Sequence, residues 1–348
     1  MTRRVLFLAL ISTCVGPASA PIARADDPPP GVKPREVHWP GEGGKKIEVS
    51  VGIFLVSFAR INLREESFDM AGYLDTSWVD PNLALPPGER RGRLRRYAHG
   101  VIWAPALEFV NAVEQVNAER DADLYVADDG RVTQRVRFSH KFQSPFRLER
   151  FPFDAQILSV VVAPFDPFAK DLNLVVDPGR VGQLEEASAP DWQIMRVSAR
   201  DELLPGGDPT DRRFVFEVRI RRQWNYYFYR VLFPMTFLVI ATWTVFWFEP
   251  NNLQPQISTA LAILLSFVTF NYAVDFSLPK VSYLTFIDRY ALTSFGFVLA
   301  VTFAVSALHV LIREKGLDLA LRLQRRARWA FPLAYLLTII GQAMLAFR

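Results

Sequence analysis

Residues 255–274 read PQISTALAILLSFVTFNYAV, an apolar stretch with small polar side chains. Residues three or four apart share one face of a helix, and here that face holds Ser258, Ala262, Leu265, Thr269 and Tyr272. A helix that contacts only lipid has no need of hydroxyl groups, whereas a helix lining a water-filled path uses them, with Leu265 as an apolar constriction. Alternatively, small and polar residues pack one helix against another. The stretch predicts a membrane-spanning helix and a candidate pore.

Four stretches in the C-terminal part of the chain are long enough to cross a hydrocarbon layer of about 30 Å. They are residues 229–248, 255–274, 286–312 and 329–347. Basic side chains cluster between the last two, and such connections lie on the cytoplasmic side. We therefore predict a four-helix transmembrane domain over residues 223–348, with the C-terminus outside. The basic residues of the connection are Arg313, Lys315, Arg322, Arg325, Arg326 and Arg328.

The N-terminus has the pattern of a secretory signal peptide. Arg3 and Arg4 precede an apolar run, and small residues then offer cleavage after Ala20 or Ala25. We assign residues 1–25 to the signal peptide and its cleavage region, and residues 26–46, rich in Pro, Gly and charge, to a flexible lead-in. The only cysteine, Cys14, lies in the signal, so the mature chain has no disulfide.

Residues 47–222 alternate apolar and polar side chains in short runs, which turn signals separate. This period of two predicts a ten-strand, immunoglobulin-like β-sandwich, exported by the signal peptide to the outer side of the membrane. The fold class is thus a β domain followed by a transmembrane α domain.

Composition argues against enzymes and metal proteins. The four histidines show no metal-ligand spacing, and neither a nucleophile elbow nor a phosphate loop is found. No cofactor or metal is therefore expected. The net charge of +4 is concentrated between two membrane segments, which disfavours nucleic acid as a partner.

Several motifs, in order, resemble those of the pentameric ligand-gated ion channels, bacterial relatives of the Cys-loop receptors, and most of all the amine-gated bacterial type. The segment Phe151-Pro152-Phe153-Asp154-Ala155-Gln156 resembles the family's F-P-F-D-x-Q signature. Ser144 and Leu158 stand where animal receptors carry the bracketing cysteines. Matches continue through residues 103–109, 242–247, 278–280 and 328–333.

The resemblance implies a coupling region at the junction of the two domains. A lone Asp154 in an apolar loop needs a partner, and Arg222 is the one that the resemblance implies. Glu66, from the first β-hairpin, is a further candidate. Pro279 and Lys280, between the second and third spans, are expected to contact this cluster, together with Phe151, Pro152 and Phe153.

The resemblance also implies a homopentamer in the bacterial inner membrane, with both the β domain and the C-terminus periplasmic. Gln254 joins the pore-lining set, membrane lipid surrounds the protein, and monovalent cations permeate. Asp275 at the outer end and Glu249 at the inner mouth are candidates for charge selectivity. The link from Trp247 to Leu265 is two residues longer than in relatives, so inner-mouth residues correspond to family positions to within two places.

An unknown small-molecule agonist is expected to bind between neighbouring sandwiches. Amine sites use aromatic cages, for which Phe54 and Phe165 are candidates, with Glu108 as an acid. The competing interpretation places both phenylalanines in the core. The capping loop, residues 199–213, lacks aromatic side chains, so a polar agonist at Arg212 or Arg213, or protons, are alternatives. A non-conducting membrane-anchored sensor is the competing function.

Overall fold

The computed structural model describes residues 40, 46–113, 122–165, 172–187, 189, 191–203, 212–249, 252–275 and 281–347. The predicted signal peptide lies outside these residues, as do all of the lead-in except Pro40 and Lys46. Pro279 and Lys280 also lie outside them.

The N-terminal domain is a sandwich of two β-sheets, which confirms the predicted fold class. The seven-stranded sheet has the order β3-β5-β6-β2-β1-β8, with β9 also paired to β1, and the four-stranded sheet has the order β10-β11-β7-β4. The described residues thus form eleven strands rather than ten. The strands are β1 (Ile47–Asn62), β2 (Ser67–Val79), β3 (Arg95–Tyr97), β4 (Leu107–Phe109), β5 (Leu124–Val126), β6 (Arg131–Gln143), β7 (Ala155–Pro164), β8 (Leu172–Val176), β9 (Gly182–Gln183), β10 (Trp192–Leu203) and β11 (Arg212–Arg222).

Alternation along the strands builds the sandwich core. On β1, Val51, Ile53 and Leu55 are fully buried, and on β11 Phe214 and Phe216 are fully buried. Successive side chains point to opposite faces of a sheet, so each strand contributes every second residue to the interior. Complete burial of such a side chain contributes about 1.5–3 kcal/mol. Packing of this kind holds together a domain whose described residues contain no cysteine.

Four helices follow, and each is long and apolar enough to cross a membrane. The first contains a π-helical turn, Phe228–Leu232, which ends two residues before Pro234, whose missing N–H disturbs regular helical bonding. The third begins at a capping box formed by Thr285 and Asp288. The helices are α1 (Asn225–Trp247), α2 (Leu253–Asp275), α3 (Phe286–Lys315) and α4 (Leu317–Phe347).

The fourth helix begins twelve residues earlier than the predicted span, at Leu317 rather than residue 329. The expected connection between the last two spans therefore shrinks to Gly316, which has a φ of +89°. Apolar runs mark only the part of a helix within lipid. Leu, Ala, Arg and Gln, which make up most of residues 317–328, are all strong helix formers, and so the helix continues past the membrane. Four of the six predicted connection arginines and lysines lie on α4.

A histidine lies in the aromatic core of the sandwich. The His140 ring is 5.3 Å from that of Phe109 and 6.1 Å from those of Phe138 and Phe142, centroid to centroid. Its Nδ1 atom is buried without a hydrogen-bond partner among the described residues. Burial lowers the pKa of His140.

We expect His140 to make folding sensitive to acid. The unfolded chain takes up a proton near pH 6.5 and the folded chain only at lower pH. The contribution of neutral His140 to the free energy of unfolding is therefore fully present above about pH 6.5. It is lost as the pH falls towards the lowered pKa of the folded state. His140→Phe should flatten this dependence in unfolding experiments on the full chain between about pH 8 and pH 5. His99→Phe, at an exposed position, is the control. Equal losses of stability with acid in the parent and in His140→Phe would contradict the prediction.

Candidate functional site

A buried ion pair lies at the junction of the sandwich and α1. Arg222 ends β11, and Asp154 directly precedes β7. The Arg222 Nε atom is 2.7 Å from Asp154 Oδ1, its Nη2 atom is 3.2 Å from Oδ2, and both side chains are at most 3% exposed. The predicted contact is therefore present, in the bidentate geometry that fixes a guanidinium plane.

The surroundings of this pair add a hydrogen bond to Asp154 and shield the charge of Arg222. Gln156 Nε2 donates to Asp154 Oδ2 and to the Arg147 carbonyl, each at 2.7 Å. The guanidinium carbon of Arg222 lies 4.0 Å from the ring centroid of Trp192 and 4.7 Å from that of Phe151, distances at which aromatic faces attract cations. A buried charge is tolerated when it is paired and hydrogen-bonded in this way.

The loop that carries Asp154 also contacts the helices. The Leu148 N–H donates to the Tyr283 hydroxyl at 2.9 Å, and Arg289 Nη2 donates to the Glu149 carbonyl at 3.0 Å. The ring of Phe153 packs edge-on against Phe286, with centroids 5.5 Å apart. Residues 148–154 thus touch the start of α3, and through Arg222 they reach the start of α1. The loop therefore contacts both helices.

The other predicted junction residues differ in their placement. Phe151 and Pro152 are buried, and the bond between them is cis. Glu66 is exposed, and its backbone carbonyl accepts from the Ser144 N–H at 2.8 Å. Within the described residues Glu66 makes no ion pair to Arg222, so the structure does not bring it into the cluster.

The polar stripe of α2 faces away from the chain's own helices. The opposite side of α2 is buried, with Ala260 and Phe267 fully enclosed. Leu265 and Tyr272 are each 68% exposed. Packing within one chain therefore does not account for the stripe. All six predicted pore-lining residues are exposed, namely Gln254, Ser258, Ala262, Leu265, Thr269 and Tyr272.

The two carboxylates predicted to govern charge selectivity lie at opposite ends of α2. Asp275 is its last residue and is exposed. Glu249 is exposed in the turn between α1 and α2, and its backbone carbonyl accepts from Gln256 Nε2 at 3.0 Å. Each position would form a ring of charge if copies of α2 surrounded an axis.

The predicted ligand-binding residues do not form one pocket within a single chain. Phe54 lies on β1 in the seven-stranded sheet, whereas Glu108 on β4 and Phe165 beside the end of β7 belong to the four-stranded sheet. Phe165 is 66% exposed, so the interpretation that places it in the core is wrong. The residue follows the last residue of β7, and its backbone N–H donates to the Ala106 carbonyl at 2.9 Å.

The two arginines proposed for a polar agonist already have partners. Arg212 pairs with Asp201, and Arg213 pairs with Glu202 across β10 and β11. Burial opposes ionisation of Glu202, but the hydrogen bond and charge of Arg213 outweigh it and lower the pKa of Glu202. An anionic agonist would have to displace these carboxylates.

A charged cluster beside Phe54 is not singled out by sequence motifs. The Asp75 side chain is 5% exposed although it points away from the core, and Arg135 holds it through Nε at 2.6 Å and Nη2 at 2.8 Å. The Arg135 guanidinium lies 5.5 Å from the Tyr73 ring centroid, and Tyr73 is opposite Phe54 in the strand register. The signal was the alternation of β2, which puts Tyr73 and Asp75 on the face of Phe54.

A polar clamp, defined here as Gln256, Gln324 and Arg328, holds the turn between α1 and α2. Gln324 Nε2 donates to the carbonyls of Phe246 and Phe248 at 2.8 and 2.9 Å, and Arg328 Nε donates to that of Phe246 at 2.8 Å. Gln256 Nε2 also donates hydrogen bonds to the backbone carbonyls of Phe248 and Glu249. Carbonyls at a helix end need such donors because no further turn supplies them. The clamp ties α4 to the end of α2 opposite Asp275.

Sequence comparison places the β domain in a known family. Residues 35–223 match the family described as neurotransmitter-gated ion-channel ligand binding domain. The chain is 28% identical over 303 residues to the proton-gated ion channel of Gloeobacter violaceus, and the match covers 86% of this chain and 84% of that protein.

Animal receptor subunits are also similar. The chain is 26% identical over 306 residues to the gamma-aminobutyric acid receptor subunit rho-2 of Rattus norvegicus, with 84% of this chain and 63% of that subunit covered. It is 26% identical over 280 residues to the rat glycine receptor subunit beta, with 76% and 56% covered. The matches thus span less than two thirds of these animal subunits.

Proposed function

The chain belongs to the neurotransmitter-gated, Cys-loop family of pentameric ligand-gated ion channels, and we propose that it forms a homopentameric, cation-selective channel opened by a small extracellular ligand or by protons. The observation that carries this proposal is the exposed stripe of α2. One chain supplies one such face, and a closed ring of identical chains surrounds an axis with them. Rings of Leu265 would then dewet the closed pore.

The proposed opening begins between neighbouring sandwiches. There the four-stranded sheet of one chain, with Glu108 and Phe165, would face the Phe54 side of the next. An agonist shifts the equilibrium only as far as it binds the open arrangement more tightly. The shift would pass through the Asp154 loop and Arg222 to α1 and α3, and from these helices to α2.

Protons should be tested directly as the agonist, because the similar Gloeobacter protein is named a proton-gated ion channel. Two carboxylates of the sandwich are poor sensors near neutral pH. A hydrogen bond from Lys141 and its charge lower the pKa of Glu65, and Arg213 lowers that of Glu202. Lowered pKa values move their titration further into acid. Amines and carboxylates are the other agonist classes to be screened.

The proposed orientation places the sandwich and the C-terminus in the periplasm of a bacterium and the chain in its inner membrane. Four helices are apolar enough to cross. The arginines near the start of α4 support a cytoplasmic location for that end.

We expect the purified channel to pass sodium rather than chloride in planar bilayers. In a sodium chloride gradient the reversal potential should lie near that of sodium. Asp275→Asn should weaken the preference and reduce the conductance a few-fold, because the ring of charge concentrates cations. Glu186→Gln, which removes an exposed charge from the sandwich, is the control. A reversal potential near that of chloride would reject cation selectivity. Assembled protein that passes no current in response to pH steps, amines or carboxylates would favour the non-conducting sensor.

A further inference from the structure

Three arginines lie together on the outer face of the four-stranded sheet. Arg219 and Arg221 are exposed on β11, whereas Ile220 between them is fully buried. Arg196 on β10 is also exposed, and it is paired with Arg219 in the strand register. Successive side chains of a strand alternate between the two faces, and directly paired residues share a face. The three side chains therefore leave the same side of the sheet, and we call them the arginine patch.

The spacing within the arginine patch lets its side chains reach one ligand. Directly opposite residues of an antiparallel pair have Cβ atoms about 4.5–5.5 Å apart, and residues two apart on one strand are separated by about 6.6 Å. A β-bulge between Ile194 and Arg196 leaves Met195 without a partner on β11, and bulges turn side chains relative to the strand. Each guanidinium is a planar fork of N–H donors at the end of a long side chain. Three such forks can contact a single small anion.

No carboxylate balances the arginine patch within the part of the chain that the structure describes. The side chains of its three arginines make no hydrogen bond or ion pair with another described residue. Glu217, the next residue on the same side of β11, already pairs with Arg200, and Asp191 lies before the start of β10. Like charges directly opposite one another destabilise a sheet. The pairing of Arg196 with Arg219 therefore costs stability, which an anion bound between them would restore.

The neighbours of the arginine patch indicate the kind of anion. On β7, Ile157 lies opposite Arg219 and is 51% exposed, and the short side chain of Ala155 lies opposite Arg221. On β10, Gln193 lies opposite Arg221, is exposed and has an amide donor. These register neighbours include no aromatic ring on which a base or a sugar would stack. The surface thus offers donors and positive charge for the anionic group itself.

We propose that the arginine patch binds a small, doubly charged oxyanion, namely inorganic phosphate or the phosphate of a soluble monoester. Guanidinium groups bind phosphate oxygens in bidentate pairs, which Lys cannot do. A phosphate monoester carries close to two negative charges at neutral pH, whereas the diester of a phospholipid carries one. Three positive charges favour the doubly charged form. One chain supplies all three arginines, so binding does not depend on the proposed channel function.

The test follows thermal unfolding of the full-length protein in neutral detergent without added lipid. Potassium phosphate is raised to about 30 mM near neutral pH, and potassium chloride keeps the ionic strength constant. For a Kd of about 1 mM, the unfolding temperature of the parent should rise by about 3–6 °C. Arg196→Gln/Arg219→Gln should lose most of this rise, since each arginine contributes about tenfold to affinity. The matched control Arg91→Gln/Arg93→Gln removes the same charge from an exposed segment between β2 and β3 and should keep the rise.

The repulsion between Arg196 and Arg219 supplies a second readout. Without phosphate, Arg196→Gln/Arg219→Gln should unfold at a higher temperature than the parent, and phosphate should narrow or reverse this difference. Phosphate also stabilises proteins in general by exclusion from their surface, but this effect is common to all variants. Arg219→Lys keeps the charge without the bidentate fork, so it should show a smaller rise than the parent. It also provides the test should the double variant fail to assemble, which size-exclusion chromatography checks.

Three results would overturn the proposal. The first is an equal phosphate-dependent rise in the parent, the double variant and Arg219→Lys. The second is an equal loss of the rise in the control Arg91→Gln/Arg93→Gln, because the response would then reflect net charge alone. The third is a parent that responds to added phosphatidylglycerol but not to phosphate, because the arginines would then serve a lipid headgroup.

Discussion

Arg222→Gln and Asp154→Asn should each destabilise the folded chain by about 3–5 kcal/mol, because each leaves the other charge buried without a partner. The pair is at most 3% exposed, so water does not replace the missing contact. The expected results are a low yield of assembled protein and thermal unfolding at a markedly lower temperature. Arg96→Gln, which breaks the exposed pair with Asp123, should change little and serves as the control.

The double variant Asp154→Leu/Arg222→Met separates stability from signalling. Apolar pairs often replace buried ion pairs with little loss of stability, so this variant should assemble better than either single one. If the ion pair also couples the sandwich to α1, the assembled double variant should bind agonist yet open poorly. Single variants as stable as the parent would contradict the structural argument. A fully responsive double variant would contradict the role in coupling.

Leu265→Ser should produce channels that leak at rest or open at an agonist concentration about tenfold lower. Five leucines meeting at an axis would exclude water from the closed pore, and five hydroxyl groups would admit it. A change of about 1 kcal/mol per chain, repeated five times, sums to about 5 kcal/mol and moves the closed–open equilibrium by roughly 5,000-fold. Single-channel recording at zero and graded agonist concentrations measures both effects.

Leu333→Ser makes the same chemical change on the lipid-facing side of α4, where the side chain is 59% exposed. It should leave the resting current and the agonist sensitivity close to those of the parent. Leu265→Ser channels that match the parent in both properties would remove Leu265 from the gate. An equal effect of the two substitutions would mean that the change acts through the stability of the bundle rather than through the pore.

Local sequence patterns were sufficient to predict the two-domain architecture of this chain. Alternation predicts strands such as β1 and β11, because burial on a sheet has a period of two. The stripe of α2 was visible in the sequence because a helix returns to the same face every three or four residues. The pair of Asp154 and Arg222 followed from the cost of an unpaired buried charge, combined with a motif of known context.

Contacts between segments distant in sequence could not be predicted from such local patterns. Gln324 Nε2 donates to the carbonyl of Phe246, 78 positions earlier in the chain. Nothing in the residue type at either position predicts this contact. Asp75 looks like an ordinary polar residue of a half-exposed strand until the fold brings Arg135 onto it. The early start of α4 was missed because hydropathy reports the environment of a side chain rather than the conformation of the backbone.

The polar clamp connects α4, the helix that contacts the bilayer, to the turn at one mouth of the proposed pore. A spanning helix adjusts its tilt and depth to the local hydrocarbon thickness. If α4 slides along its axis, Gln324 and Arg328 must carry the turn between α1 and α2 with them or give up their bonds, each worth about 1 kcal/mol. Membrane thickness and an agonist would then act on opposite ends of the same α2 helix.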